Sequence, residues 1–143
     1  MNEETFNSYS LLLDRTARKV KQYAQQKFKE HGFKVAVGQW MVLKQSKENG
    51  PMKQNDLAEL LFKDNPTLTR IIDILCKKKL AIRKSHPGDR RSFMLTLTEE
   101  GTKKVRELSP KVRAIRLKAW SGLSTKDFNQ FKRVLWAISE NLK

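Results

Sequence analysis

The sequence predicts a mainly α-helical fold that carries one small β-hairpin. Three observations predict it. Apolar residues recur every three or four positions along most of the chain, the spacing of helices with one buried face. Residues 80–97 break that period with two short runs, the second alternating, around the turn signal His86-Pro87-Gly88-Asp89. Cys76 is the single cysteine in 143 residues, so a packed core rather than a disulfide framework must hold the chain.

The elements follow in order. Phe6, Tyr9, Leu13, Ala17, Val20, Ala24 and Phe28 mark an amphipathic helix of about seven turns, stopped by Gly32. A shorter helix covers Gln39–Lys44 and ends in Glu48-Asn49-Gly50-Pro51. A third spans Gln54–Leu61, with Leu57, Ala58, Leu60 and Leu61 as its buried side. A fourth runs from Asn65 to Lys78. Asp64 or Asn65 caps it, Pro66 suits its first turn, and Leu68, Ile71, Ile72 and Leu75 form its apolar stripe. The hairpin pairs Leu80–Lys84 with Ser92–Leu97, the latter directing Phe93, Leu95 and Leu97 to one face.

Thr98 caps the next helix, with Glu99 and Glu100 at the positive end of its dipole. Val105, Leu108, Val112, Ile115 and Ala119 give it a heptad seam, and Pro110 should kink it. After Gly122, Ser124 caps a last helix whose seam is Phe128, Phe131, Leu135, Ile138 and Leu142.

Charge narrows the function. The formal net charge is +15, which favours a polyanionic partner. Between Cys76 and Arg91 stand Lys77, Lys78, Lys79, Arg83, Lys84, Arg90 and Arg91 against a single acid, Asp89. A second basic window, Gly101–Trp120, lies in the C-terminal third. No apolar run approaches the ~20 residues of a membrane span. Together with an N-terminus that has no signal pattern, this predicts a soluble, cytoplasmic protein with no membrane partner. No nucleophile–base set, phosphate loop or metal-ligand spacing is present, and His31 and His86 lie far apart, so neither an enzyme nor a cofactor is expected. Cys76, four residues after Ile72, reads as core edge rather than redox site.

The third and fourth helices are joined only by Phe62-Lys63-Asp64, and a basic hairpin follows directly. That is the layout of a winged helix-turn-helix. The second helix of such a pair fits the major groove and offers short polar side chains to base edges. The first helix and the last two lie outside this module and are too elongated to cover one another. Their apolar seams therefore predict a dimer interface that includes Phe6, Leu13, Val112, Trp120, Phe131, Leu135 and Trp136.

The chain also resembles the MarR (multiple antibiotic resistance regulator) family. The resembling residues are Gln39-Trp40-Met41-Val42-Leu43, Gln54-Asn55-Asp56-Leu57-Ala58, Thr67-Leu68-Thr69-Arg70-Ile71-Ile72-Asp73-Ile74-Leu75, and above all His86-Pro87-Gly88-Asp89-Arg90-Arg91-Ser92-Phe93 running into Leu97-Thr98-Glu99-Glu100-Gly101. The resemblance implies a single domain over residues 1–143. Its DNA-binding lobe would be 37–97 and its dimerisation helices 1–32 and 99–143. It implies a homodimer on a pseudo-palindromic operator in double-stranded DNA, acting as a repressor released by a small, often aromatic, ligand. Tyr9, Tyr23 and Trp40 are aromatic candidates for that ligand and serve equally well as core.

By position, the resemblance assigns Asn65, Pro66, Thr67, Thr69 and Arg70 to the recognition helix. It assigns Arg90 and Arg91 to the wing, with Asp89 orienting Arg91 by a charge-assisted hydrogen bond; Lys84 joins them from the basic window. The family usually has glycine where this chain has Phe62 and Lys79, which implies left-handed backbone at both. A non-sequence-specific architectural DNA binder is the competing function, and the high charge supports it.

Overall fold

The computed structural model describes residues 1–89 and 92–143 throughout, and residues 90 and 91 as backbone only. Asn2 starts α1 (Glu3–Glu30) by accepting the Thr5 N–H at 2.7 Å. Only Ala24 and Phe28 of this helix are buried, so its last turns dock on the chain's own core and the rest projects. Next come α2 (Val37–Asn49), β1 (Met52–Lys53), α3 (Gln54–Leu61), α4 (Asn65–Lys77), β2 (Ala81–His86), β3 (Asp89–Leu97) and α5 (Glu99–Leu117). A single 3-10 turn (Lys118–Trp120) leads into α6 (Thr125–Asn141), which is capped by Ser124 and Asp127. The core joins Trp40 and Leu43 of α2, Leu57 of α3, Leu68 and Ile72 of α4, Leu95 of β3 and the inner face of α5.

The sheet is antiparallel in the order β1-β3-β2. Its third strand was not legible in the sequence: two residues are too few for alternation, and only the pairing of Met52 with Leu95 and Lys53 with Met94 creates it. The hairpin is longer than its sequence signal, because β2 continues to His86 and β3 begins at Asp89. Its register shifts between Ser85, opposite Phe93, and His86, opposite Asp89. A shift of this kind bends a strand and re-aims its side chains. Phe93 does not face the core as the alternation implied; it is 47% exposed. The hairpin outruns the body at that point, and Leu95 is the first inward side chain fully covered.

Three further expectations need correction. Leu60 is exposed, since α3 buries only Leu57 and Ala58. Pro110 lies inside α5, which runs from Glu99 to Leu117. Proline removes one N–H from the ladder, and at this exposed position water can satisfy the carbonyl left without it. Val112 is 4% exposed and packed inside the chain's own core with Val105, Leu108 and Ile115. The seam of α5 is thus intrachain core, and Val112 has no surface to offer a second copy. Ala119, expected to extend that seam, is exposed beyond it.

Three helix ends share one geometry. At α1, Phe33 N–H donates to Phe28 O and Gly32 N–H to Lys29 O. At α3, Lys63 N–H donates to Ala58 O and Phe62 N–H to Glu59 O. At α4, Leu80 N–H donates to Leu75 O and Lys79 N–H to Cys76 O. Each is a Schellman motif, which requires a left-handed residue at its corner. Gly32 supplies it at φ 67°, but Phe62 (φ 51°) and Lys79 (φ 61°) adopt it with a side chain. Such backbone costs about 1 kcal/mol relative to glycine. Lys79→Gly should therefore raise the melting temperature by roughly 2–4 °C in calorimetry. An unchanged or lower value would show that contacts of the Lys79 side chain offset the strain.

Candidate nucleic-acid interface

The site is built from three elements that meet at one cleft. The start of α3, the outer face of α4 and the root of the hairpin enclose about 540 Å³, open to solvent. Lys53, Gln54, Asn55, Asn65, Thr69, Asp73, Arg83, Ser92 and Phe93 line it. Nearly all are polar, which suits a charged, hydrated ligand better than an apolar one.

The start of α4 is set by its cap. Asp64 accepts the Thr67 N–H at 3.0 Å and the Thr67 hydroxyl at 2.7 Å. These bonds, the hydroxyl first, hold the Asp64 carboxyl below its ordinary range. The contribution of the cap is therefore present above the usual carboxylate pKa and is lost as pH falls through the lowered value. Pro66 occupies the first turn, and Asn65 and Arg70 stand exposed. By contrast, α3 has Lys53 at its N-cap position and no side-chain acceptor there. Its first amide groups are thus available to an anion at the positive end of the dipole.

A polar brace ties these elements together. Arg83 of β2 pairs with Asp73 of α4 at 2.5 Å and reaches the Thr69 carbonyl at 3.4 Å. Gln54 donates to the Thr69 hydroxyl at 2.8 Å. Wing, recognition-type helix and preceding helix are therefore cross-linked at the level of the cleft. The sequence reading missed this brace. In the sequence Arg83 is one member of a basic window, and nothing local marks a partner ten residues upstream across a turn.

Of the residues expected to bind DNA, Asn65 and Thr69 line the cleft, and Arg70 and Lys84 are exposed beside it. Thr67 is half-exposed and its hydroxyl proton serves the cap. Asp89 accepts from the Ser92 hydroxyl at 3.0 Å. The expected contacts of Arg90 and Arg91 lie outside the described residues. Lys53, Gln54, Asn55, Asp73, Arg83 and Ser92 are additions made by the structure.

A second surface lies apart from the cleft. No residue of α6 is buried, and Phe128, Phe131, Val134 and Trp136 are exposed along it. Leu135 is half-buried, and Trp120 sits edge-on to Phe128 and Phe131 at 5.0 and 5.2 Å. On α1, Phe6 stacks near Tyr9, and Leu11, Leu12 and Leu13 are exposed. Tyr9 and Tyr23 are also open to solvent, whereas Trp40 is core. Among the described residues, no helix is long and apolar enough to cross a membrane.

Comparisons with known proteins agree with this architecture. The MarR family model matches residues 36–93, from the start of α2 into β3. The transcriptional repressor MprA of Escherichia coli (strain K12) is 29% identical over 106 residues, 74% of this chain and 60% of that protein. The chain thus spans less than two thirds of the length of this relative. Among solved structures, the S. aureus MepR–DNA complex is 27% identical, covers 93% of this chain and 97% of that one, and superposes with a TM-score of 0.77. A structure of Bordetella bronchiseptica BpsR, whose DNA binding is regulated by 6-hydroxynicotinic acid, is 25% identical, covers 91% of each chain and has a TM-score of 0.81.

Proposed function

We propose that the chain, whose residues 36–93 match the MarR family model, is a MarR-type, sequence-specific regulator of transcription. It acts as a homodimer that reads two half-sites of double-stranded DNA and represses the genes beside them. The observation that carries this reading is the braced polar cleft, which holds α4 and the hairpin at one fixed angle. A helix and a wing fixed in this way can engage a major groove and the adjoining backbone together.

Roles follow from the hydrogen bonds. Thr67 has committed its hydroxyl proton to Asp64, so toward DNA it accepts, which suits an adenine or cytosine amino group. Thr69 accepts from Gln54 and keeps a proton to donate. Asn65 and Arg70 supply the other base-edge contacts, with Pro66 fixing the turn from which they project. Lys53, Lys84 and the open start of α3 take phosphates, which position the protein without reading sequence. Arg90 and Arg91 serve the minor groove, where an arginine is favoured by the negative potential of narrow A-tracts. A small ligand, aromatic as for BpsR, releases the protein by changing the separation of the two lobes.

The test is selection of DNA from genomic fragments by the purified protein, followed by titration against selected and scrambled duplexes. The selected site should be preferred by ~10³ or more. Equal affinities would instead favour the architectural role that the +15 charge also suits. Within the same assay, Arg91→Ala should weaken operator binding by roughly 1–3 kcal/mol and leave the dimer intact in sedimentation. Unchanged affinity would remove Arg91 from the interface.

A further inference from the structure

We propose that Phe62 is a DNA-contacting residue, an aromatic knob at the turn between α3 and α4 that packs on the apolar surface of the same operator. The inference rests on the reading of α4 as the DNA-reading helix. It begins from a double cost. Phe62 is one of two described non-glycine residues with positive φ, and its side chain is 99% exposed. The ring therefore contributes almost nothing to the chain's own packing while its backbone is strained. Apart from Lys79, the other left-handed corners among the described residues carry glycine, as at Gly32, Gly50 and Gly122. A strained residue whose side chain is presented wholly to solvent is intelligible if a partner covers it.

Continuity identifies the partner. Phe62 leads directly into Lys63, the Asp64 cap and Asn65 at the exposed start of α4. Three residues of chain span at most ~11 Å, so a duplex engaged by Asn65 passes within reach of the ring. Half-exposed Lys63 beside it favours the phosphate backbone. DNA offers apolar surface at that level in thymine methyl groups and sugar faces, and phenylalanine is suited to the former. Lys79, the other strained corner, lies beyond the opposite end of α4, some ~20 Å along the helix. It provides an internal control.

The experiment measures melting temperature and operator affinity together for Phe62→Gly, Phe62→Tyr and Lys79→Gly, using the duplex selected by the unmodified protein. Phe62→Gly should melt higher and bind operator roughly fivefold to tenfold more weakly, the scale of a partly buried aromatic ring. Phe62→Tyr should stay within about twofold in affinity, since the ring is kept. Lys79→Gly should melt higher with affinity also within about twofold, which separates strain relief from DNA contact. Phe62→Gly that binds as tightly as the unmodified protein overturns the proposal and leaves the DNA-reading role standing. A weaker-binding Phe62→Gly that has also lost dimer mass in sedimentation overturns it too, and assigns the ring to a contact between copies. An unmodified protein that does not distinguish selected from scrambled DNA overturns both readings.

Discussion

Gly101→Ala should lower the melting temperature by on the order of 10 °C, a loss of roughly 3 kcal/mol or more. A Cβ at this position would stand 2.0 Å from the Leu80 carbonyl oxygen and 3.0 Å from its carbon. Neither side can retreat. The Leu80 carbonyl accepts the Thr98 N–H at 3.1 Å, and the Leu80 N–H closes the end of α4 on Leu75 O. On the other side, the Thr98 hydroxyl accepts the Gly101 N–H at 3.0 Å and donates to Lys79 O at 2.7 Å. The first turn of α5 is thus bolted to the end of α4, and a methyl group must separate them. Gly38→Ala is the matching control. Its Cβ would meet only Ile71 Cδ1 at 3.5 Å, an ordinary contact, so its melting temperature should be unchanged or slightly raised. A Gly101→Ala protein that melts normally in calorimetry would mean that α5 can shift without cost.

Phe131→Asp combined with Trp136→Asp should convert the proposed dimer to monomer and weaken operator binding by 10²-fold or more, roughly the gain that linking two half-site contacts provides. The double change places two carboxylates on an apolar face of α6 where Phe131 is 47% and Trp136 69% exposed within one chain. Both side chains are too large and too open to be left in water in the working protein. Because α6 buries no residue in its own chain, the shared core should keep its fold, and the effect is separable from unfolding. Sedimentation at micromolar concentration reads the mass, and circular dichroism reads the fold. An unaltered dimer would move the interface off α6. Trp136→Asp alone is the matching control, since it leaves the Trp120–Phe128–Phe131 cluster at the start of α6 intact.

The helices were legible because their signals are local. The Asp64 and Thr98 caps, the Gly32 stop and the Leu68–Ile72–Leu75 stripe all act within four residues, and each is found where its pattern put it. The candidate site was legible in part. Thr69 and Arg70 could be placed off the apolar stripe of α4 from periodicity, and Asn65 from the family resemblance. The brace between Arg83 and Asp73 could not, because either residue has equally good local readings as a surface charge. The inner seam of α5 misled for a related reason. A 3-4-3-4 spacing states that a face is apolar and is silent on whether its cover comes from the same chain, as it does for Val112, or from another.

The amino-acid order alone therefore decided what interactions within one turn or one helical period can decide: the succession of helices, their caps and stops, the hairpin with its basic tip, and the MarR resemblance those motifs carry. Only the folded chain decided which distant backbones meet. The pairing of β1 with β3, the contact of Gly101 with Leu80 and the Arg83 brace all depend on where helices come to rest. That placement follows from close packing of one shared core, a many-body condition to which no single stretch of sequence holds the answer.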